Sequence, residues 1–184
     1  MRRTLPSFLT AILTAILFSL IALPVSAQNE TGLPARMTAD EVDKIPDYIL
    51  SRAAASTGIT APPNFDVRTM AEWEEIEYLC VTWTQYISTV REIVRHAVEE
   101  VDVIIFCSDS NAVKSNLQNN GISTARVHYL ERDFDSVWIR DYGANTIYKE
   151  DVDSLMLVDW IYNRPRPNDD VIPQELSTYL GLPL

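Results

Sequence analysis

The sequence is poor in the residues that mark several common classes of protein. It has only five glycines in 184 residues, and no Gly-x-Gly-x-x-Gly turn, so a dinucleotide-binding site is not supported. Its only two histidines, His96 and His128, lack the spacing to other ligands that a metal site requires. We therefore expect no metal and no cofactor, and we assign both histidines surface or packing roles.

Cysteine is equally scarce. Cys80 and Cys107 are too few for a disulfide scaffold, and both lie in apolar runs. This position favours buried free thiols, with a single bridge between neighbouring strands as the alternative. Neither cysteine has a nearby histidine or helix N-terminus that would favour the thiolate, so neither is predicted to be a nucleophile.

Positive charge is the third deficit, because 15 Lys and Arg stand against 26 Asp and Glu and give a net charge of −11. An acidic chain repels phosphate backbones, so nucleic acid is not an expected partner. A cationic substrate would instead be attracted. The hydrophobic content of 47% is that of a globular protein rather than a disordered one.

The first 27 residues have the features of a secretory signal peptide. A basic start at Arg2 and Arg3 precedes an apolar run from Leu9 to Leu23 and a small-residue site ending at Ala27. The run is short and contains polar residues, so we do not expect a stable membrane anchor. Cleavage would leave 13 basic against 26 acidic residues, a net charge of −13. We expect the protein to be secreted, or periplasmic or cell-surface.

Residues 28–61 are predicted to be a leader, linker or prosegment, and residues 62–184 the ordered domain. The leader contains one predicted helix, Met37 to Ala54, capped by Thr38 and interrupted at Pro46. Within the domain, β-branched runs alternate with 3,4-spaced apolar positions, which is typical of an α/β unit. The predicted strands are Tyr78–Trp83, Val101–Cys107, Arg126–Leu130, Val137–Gly143, Asn145–Tyr148 and Leu155–Ile161. The first predicted helix of the domain is Ile87–Val101. The second begins at a cap formed by Asp109 or Ser110 and stops at Gly121. The third is capped by Asp170 and has Pro173 in its first turn.

Two segments combine aromatic, acidic and arginine residues. The first is Trp138-Ile-Arg-Asp-Tyr-Gly143, where Asp141 would stand at a strand terminus beside an aromatic wall, an arrangement suited to a planar cation. The second is Asp159-Trp-Ile-Tyr-Asn-Arg-Pro-Arg-Pro-Asn168. Here Arg164 and Arg166 flank a proline and should project from a stiff loop, where they could bind a carboxylate. A structural ion pair and a simple connector are the alternative interpretation.

Together these segments resemble the agmatine deiminase and bacterial peptidylarginine deiminase family, most closely its secreted peptidylarginine branch, over about Pro62 to Leu184. The resemblance implies an α/β protein with a partial pentein fold. A pentein is a five-bladed α/β propeller, of which roughly the first two blades would be present. Residues 62–184 would then be the N-terminal part of a truncated deiminase domain.

The resemblance also implies a chemistry, hydrolysis of a guanidinium to a ureido group with release of ammonia. In the family a Cys thiolate attacks, a His in a His-x-Asp motif moves protons, and two carboxylates hold the guanidinium. Asp141 matches the first carboxylate, and Trp138 would wall the pocket. Arg164 and Arg166 match the positions that bind the backbone and terminal carboxylate of a C-terminal arginine.

The sequence departs from the family in lacking its reactive groups. No His-x-Asp is present, and Cys80 and Cys107 both precede the Asp141 motif. We therefore expect an N-terminal fragment, inactive by itself, of a secreted deiminase that converts peptide or protein arginine to citrulline. An agmatine deiminase is one alternative, although two arginines would repel the distal amine of agmatine. A non-catalytic binder of arginine peptides is the other.

Overall fold

The computed structural model describes residues 36–55, 63–151 and 154–184. The predicted signal peptide lies outside these residues, as does the start of the leader. The helices are α1 (Ala39–Ala55), α2 (Ile87–Glu100), α3 (Ser110–Asn119), α4 (Ile139–Tyr142), α5 (Pro167–Asp170) and α6 (Ile172–Leu180). The strands are β1 (Val67–Thr69), β2 (Tyr78–Thr82), β3 (Asp102–Cys107), β4 (Val127–Glu131), β5 (Asn145–Lys149) and β6 (Ser154–Val158).

A parallel three-stranded sheet in the order β2-β3-β4 forms the centre of the fold. Helices α2 and α3 are the crossovers, as parallel neighbours require. Helix α2 starts and ends close to its predicted bounds, and α3 starts at the predicted cap, because the Asp109 side chain accepts from the Ala112 N–H at 2.9 Å. Gly121, just after α3, has φ +69°, in the left-handed region that was predicted to stop this helix.

Strand β3 separates two apolar cores, because successive side chains of a strand point to opposite faces. One face contributes Val103, Ile105 and Cys107 to a core with α2 and α3. The other face contributes Ile104 and Phe106 to a second core, which also contains Tyr142, Leu157, Tyr162, Ile172 and Leu176. The continuous β-branched run therefore lies in a strand covered on both sides, as predicted.

The second sheet is antiparallel, in the order β1-β5-β6. Strands β5 and β6, both predicted from the sequence, pair in antiparallel orientation, and β1 pairs with β5 through Val67 opposite Lys149. Strand β1 was not predicted. It is short, and the guanidinium of Arg68 on it lies 4.7 Å from the centre of the Tyr148 ring.

Several element predictions were wrong. Residues Val137 to Gly143 form a loop and the single turn α4 rather than a strand, and β6 ends at Val158 rather than Ile161. Helix α1 continues through Pro46 without interruption. Asp170 ends α5 and does not cap α6, because its carboxylate instead accepts from the Tyr162 N–H at 2.9 Å.

Two other predictions were confirmed, one for helix α6 and one for the cysteines. Pro173 lies in the first turn of α6, which buries Ile172 and Leu176. Cys80 and Cys107 are free thiols. Within the described ranges, no helix is both long and apolar enough to cross a membrane.

Candidate guanidinium site

The two predicted motif segments meet at a polar cavity of about 460 Å³. Its lining residues are Arg140, Asp141, Trp160, Ile161, Tyr162, Asn163 and Arg164. Asp141 is exposed to solvent and Arg164 is half-buried. The structure thus places the predicted guanidinium ligand and one predicted carboxylate ligand on the wall of the same cavity.

The single turn α4 presents Asp141 to this cavity. The turn closes through a 2.7 Å hydrogen bond from the Gly143 N–H to the Ile139 carbonyl. A Cβ at position 143 would lie only 2.6 Å from that carbonyl oxygen, so the close approach requires glycine. On the cavity side, the Trp160 indole N–H donates to the Asp141 carbonyl at 3.3 Å, linking the two motif segments.

Tyr142 anchors α4 to the parallel sheet. Its buried hydroxyl donates to the Ser136 carbonyl at 2.7 Å and therefore accepts from the Thr82 hydroxyl at 2.8 Å. Burial raises the pKa of Tyr142, so the hydroxyl remains a donor at all ordinary pH values. The ring also packs edge-on against Tyr162, with centroids 5.7 Å apart. Asp141 is thus fixed by its buried neighbour rather than by its own side chain.

A second anchor joins the loop before α4 to the segment after the arginines. The Asp169 carboxylate is fully buried and accepts from the backbone N–H of Asp135 at 2.7 Å and of Ser136 at 3.1 Å. Its other oxygen accepts from the Ser136 hydroxyl at 2.7 Å. Burial raises the pKa of Asp169, and these hydrogen bonds oppose the rise.

The same two segments are also joined by hydrogen bonds whose acceptor lies on the loop before α4. The Asp135 carboxylate accepts from the Asn168 backbone N–H at 3.1 Å and from its side-chain amide at 3.0 Å. Sequence analysis assigned no role to Asp135 or Asp169. Their positions before and after the two motifs give no periodic signal, since the pairing depends on the folded loops.

The Arg166 side chain was expected to project from the loop into solvent, but it is buried against helix α1. Its side chain is 2% exposed. Its Nε donates to Glu41 Oε1 at 2.6 Å and its Nη2 to Glu41 Oε2 at 3.4 Å. The expectation of an exposed arginine was wrong because α1, predicted only as part of a leader, folds over the loop. The role of Arg166 in substrate binding stays a prediction.

The Glu41 carboxylate is held by its own helix as well as by Arg166. It accepts from the Thr38 backbone N–H at 2.8 Å, and the Thr38 hydroxyl accepts from the Glu41 N–H at 3.3 Å, which is a capping box. Burial raises the pKa of Glu41, but the Arg166 and Thr38 hydrogen bonds outweigh it and lower the pKa below the usual value.

A second ion pair attaches the end of α1. Arg52 Nε lies 2.6 Å from Asp170 Oδ2, and the Asp170 side chain is almost completely buried. Burial, followed by the charge of Asp170, raises the pKa of the neighbouring Tyr48. Helix α1 therefore contacts both ends of the short α5 region.

Trp138 lies on the other side of α4 from the expected position. It lines a mostly apolar cavity of about 540 Å³ that also contacts Cys80 and Tyr86. Its ring packs edge-on against Tyr86, with centroids 6.3 Å apart. The aromatic wall beside Asp141 is formed by Trp160, which sequence analysis included in the second motif but gave no role.

The thiols and histidines behave as side chains outside the site. Burial raises the pKa of Cys80 to about 12 and that of Cys107 to about 11, which disfavours both thiolates. His96 is exposed, and His128 lies between Asp102 at 2.8 Å and the Tyr179 hydroxyl at 2.7 Å. In the described part of the chain, no cluster of three acidic, His or Cys side chains could hold a metal.

Solved structures that align with this chain include deiminases. C. jejuni agmatine deiminase aligns with a TM-score of 0.51 and 20% identity, over 65% of this chain and 39% of that enzyme. A provisionally assigned arginine deiminase from Porphyromonas gingivalis aligns with a TM-score of 0.52 and 18% identity, over 62% and 37% of the two chains. The fold is therefore a partial pentein, and the chain spans about two fifths of these proteins.

The sequence identifies the family within this fold. Residues 68–183 match the model of the Porphyromonas-type peptidyl-arginine deiminase family. The chain belongs to that family. The matched residues contain both motif segments and both anchors of the cavity, whereas α1 precedes them.

Proposed function

We propose that this chain forms the substrate-binding part of a secreted peptidyl-arginine deiminase. The complete enzyme would convert the guanidinium of a peptide arginine and one water molecule to a ureido group and ammonia. The observation that supports this most directly is the exposed Asp141 carboxylate in a polar cavity beside Trp160. A carboxylate binds a guanidinium through paired charge-assisted hydrogen bonds, and the indole face favours the same cation.

The preference for a peptide rests on Arg164. Its guanidinium lines the same cavity as Asp141, so a ligand bound at Asp141 places its far end near a positive charge. A C-terminal arginine offers a carboxylate there, whereas agmatine offers an ammonium. The similarity to agmatine deiminases supports the alternative substrate, and the following experiment separates the two.

The 184 residues bind the substrate but do not turn it over. They contain no His-x-Asp sequence, and burial holds both thiols in the protonated form. Asp141 supplies orientation and charge complementarity, which are contributions to binding in the ground state and the transition state. The reactive thiolate and the proton-transfer groups of the family have no counterpart among these residues.

Isothermal titration calorimetry of the 184-residue chain tests this function. We expect a short peptide ending in arginine to bind more tightly than agmatine, and the same peptide ending in lysine to bind more weakly. Asp141→Asn should weaken arginine-peptide binding at least tenfold, because it removes the charge that faces the guanidinium. Asp133→Asn is the matched control, since Asp133 is also exposed and lines a different cavity.

The results have distinct meanings. Tighter binding of agmatine would overturn the assignment of a peptide substrate. It would remain compatible with a deiminase that acts on agmatine. Equal binding by Asp141→Asn and the unmutated chain would overturn the assignment of the cavity. Citrulline production by the chain alone would show that its residues suffice for catalysis.

A further inference from the structure

Glu41 on helix α1 meets the Arg166 guanidinium in a buried, two-point contact. Glu41 is 7% exposed and Arg166 is 2% exposed, although the two are 125 positions apart in the sequence. The Nε and Nη2 atoms of Arg166 meet the two oxygens of Glu41, at 2.6 and 3.4 Å. This is the fork geometry with which an arginine binds any carboxylate, including the C-terminus of a peptide.

The contact with Glu41 occupies one fork of the Arg166 guanidinium, and the Arg166 side chain is 2% exposed. This fork consists of Nε and one Nη, and it accommodates one carboxylate at a time. Glu41 lies outside residues 68–183, which match the family, so the occupant comes from the helix that precedes them. A substrate carboxylate that uses the same fork must therefore replace Glu41.

We propose that Glu41 is an internal competitor of the substrate's C-terminal carboxylate, so that helix α1 closes the carboxylate site of Arg166 until a peptide displaces it. This inference rests on the proposed function and on the carboxylate-binding role predicted for Arg166 from the sequence. It adds a segment that controls access to the site, and it makes Glu41 the residue that sets the threshold for peptide binding.

Helix α1 is attached to the rest of the chain in a way that would allow a ligand to displace it. Its large apolar side chains Val42, Ile49 and Leu50 are 52%, 52% and 68% exposed, so the helix buries little apolar surface at these positions. Its described attachments to the rest of the chain are mainly polar, the pairs Glu41–Arg166 and Arg52–Asp170. Segments attached in this way open at a low free-energy cost compared with packed cores.

Because of the capping box, replacement of Glu41 at Arg166 need not unfold the N-terminus of α1. Thr38 and Glu41 satisfy each other's backbone N–H groups within α1. These bonds remain when Arg166 takes another carboxylate, so α1 keeps its N-terminal cap after release. Gln is also a member of the capping box, so Glu41→Gln keeps the cap while it removes the charge that faces Arg166.

The test measures binding of two peptides to the 184-residue chain by calorimetry. One peptide ends in arginine with a free carboxylate, and the other has the same sequence with a C-terminal amide. Glu41→Gln should bind the free-carboxylate peptide about tenfold more tightly than the unmutated chain does, and the amide peptide equally well. The control is Asp43→Asn, an exposed acidic residue of the same helix, which should change neither affinity.

A second measurement needs no variant. Hydrogen exchange of the unmutated chain should show faster exchange of the α1 amides, residues 39–55, when the free-carboxylate peptide is added in excess. The amide peptide should leave that exchange rate unchanged. This readout also applies if Glu41→Gln does not fold.

Unchanged or weaker binding of the free-carboxylate peptide by folded Glu41→Gln would overturn the proposal, as would slower exchange in α1 on peptide addition. In both cases Asp141-dependent peptide binding would still support the proposed function. If neither peptide binds to any of these chains, the proposed function itself fails, and the inference fails with it.

Discussion

The two sides of the turn Arg166–Asp170 are held in different ways. On one side, Asn168 and Asp169 bind the loop at Asp135 and Ser136 through five short hydrogen bonds, three of them to backbone N–H groups. On the other side, Arg166 and Asp170 bind Glu41 and Arg52 of α1 through ion pairs between long side chains. The first side, which we call the loop clasp, joins residues of the family domain to each other. The second, the helix clasp, joins these residues to helix α1, which precedes the family match.

This difference separates permanent from conditional structure. The loop clasp fixes the separation of Asp141 and Arg164, so the spacing of the cavity is built into the domain. The helix clasp depends on charges that acid or a competing carboxylate can replace. Stability and the proposed control of substrate access therefore depend on opposite sides of one short turn. Four predictions, in order of expected effect, test this difference.

Asp169→Ala should have the largest effect on stability. It leaves the buried N–H and hydroxyl of Ser136 and the partly buried N–H of Asp135 without their acceptor. The change should lower the free energy of unfolding by about 3 kcal/mol. Urea unfolding measures the change. Asp133→Ala, at an exposed position of the same segment, should stay within about 0.5 kcal/mol. An equal effect of the two changes would show that the hydrogen bonds of the loop clasp do not contribute to stability.

Tyr142→Phe should have the next largest effect. The ring remains, but the Ser136 carbonyl and the Thr82 hydroxyl lose their buried partner, at a cost of about 1.5 kcal/mol in the same unfolding experiment. The matched change Tyr179→Phe removes a hydroxyl that contacts His128 at the surface, and it should cost less than about 0.5 kcal/mol. A larger cost at position 179 would contradict the anchor assigned to Tyr142.

Acid should open the helix clasp before the loop clasp. The folded pKa of Glu41 lies below its usual value of 4.5, so its contribution to stability is present above that value and is lost as the pH falls through the folded pKa. The folded pKa of Asp169 is raised, so its ionisation disfavours the folded state, and that cost falls as the pH drops.

Hydrogen exchange between pH 6 and pH 3, corrected for the intrinsic rate, measures this order. The α1 amides should lose protection at a higher pH than those of β3. The charged and titratable groups at the helix clasp include Tyr48 and Arg52 on α1 itself. From the segment that α1 covers, they include Tyr162, Arg166, Asp169 and Asp170. Simultaneous loss of protection in α1 and β3 would show that α1 is part of the cooperative core.

Arg164→Gln should have the smallest effect on stability, within about 0.5 kcal/mol, because the side chain lies at the half-exposed wall of the cavity. It should nevertheless weaken binding of a free-carboxylate arginine peptide about fivefold and leave binding of the peptide amide unchanged. Calorimetry with the two peptides measures both values. Equal losses for the two peptides would assign Arg164 to the peptide backbone instead of its terminus.

The parallel sheet could be predicted because its signals are local. The β-branched run of β3, the 3,4-spacing of α2, the cap at Asp109 and the left-handed Gly121 each act within a few residues. The same reasoning failed for α4. Its residues Trp138, Ile139 and Tyr142 have high strand propensity, and the turn forms only because Tyr142, Ser136 and Thr82 meet in the folded protein.

The site could be predicted only in part, because some of its residues lie within local motifs and others depend on distant contacts. Asp141 and Arg164 lie within the motifs and do line one cavity. The burial of Arg166 could not be inferred, because its partner lies 125 positions away in a segment that resembled a leader. Thr38 was predicted as a cap, and the capping box with Glu41 was the one local signal at that end of α1.

Gly143 limits how this family member can vary. Any side chain at position 143 meets the Ile139 carbonyl at 2.6 Å, so substitution must open the turn whose third residue is Asp141. Arg140, one residue before Asp141, is exposed and carries no such limit. A substitution at Arg140 therefore changes the charge at the cavity wall, whereas a side chain at position 143 disturbs the turn that orients Asp141.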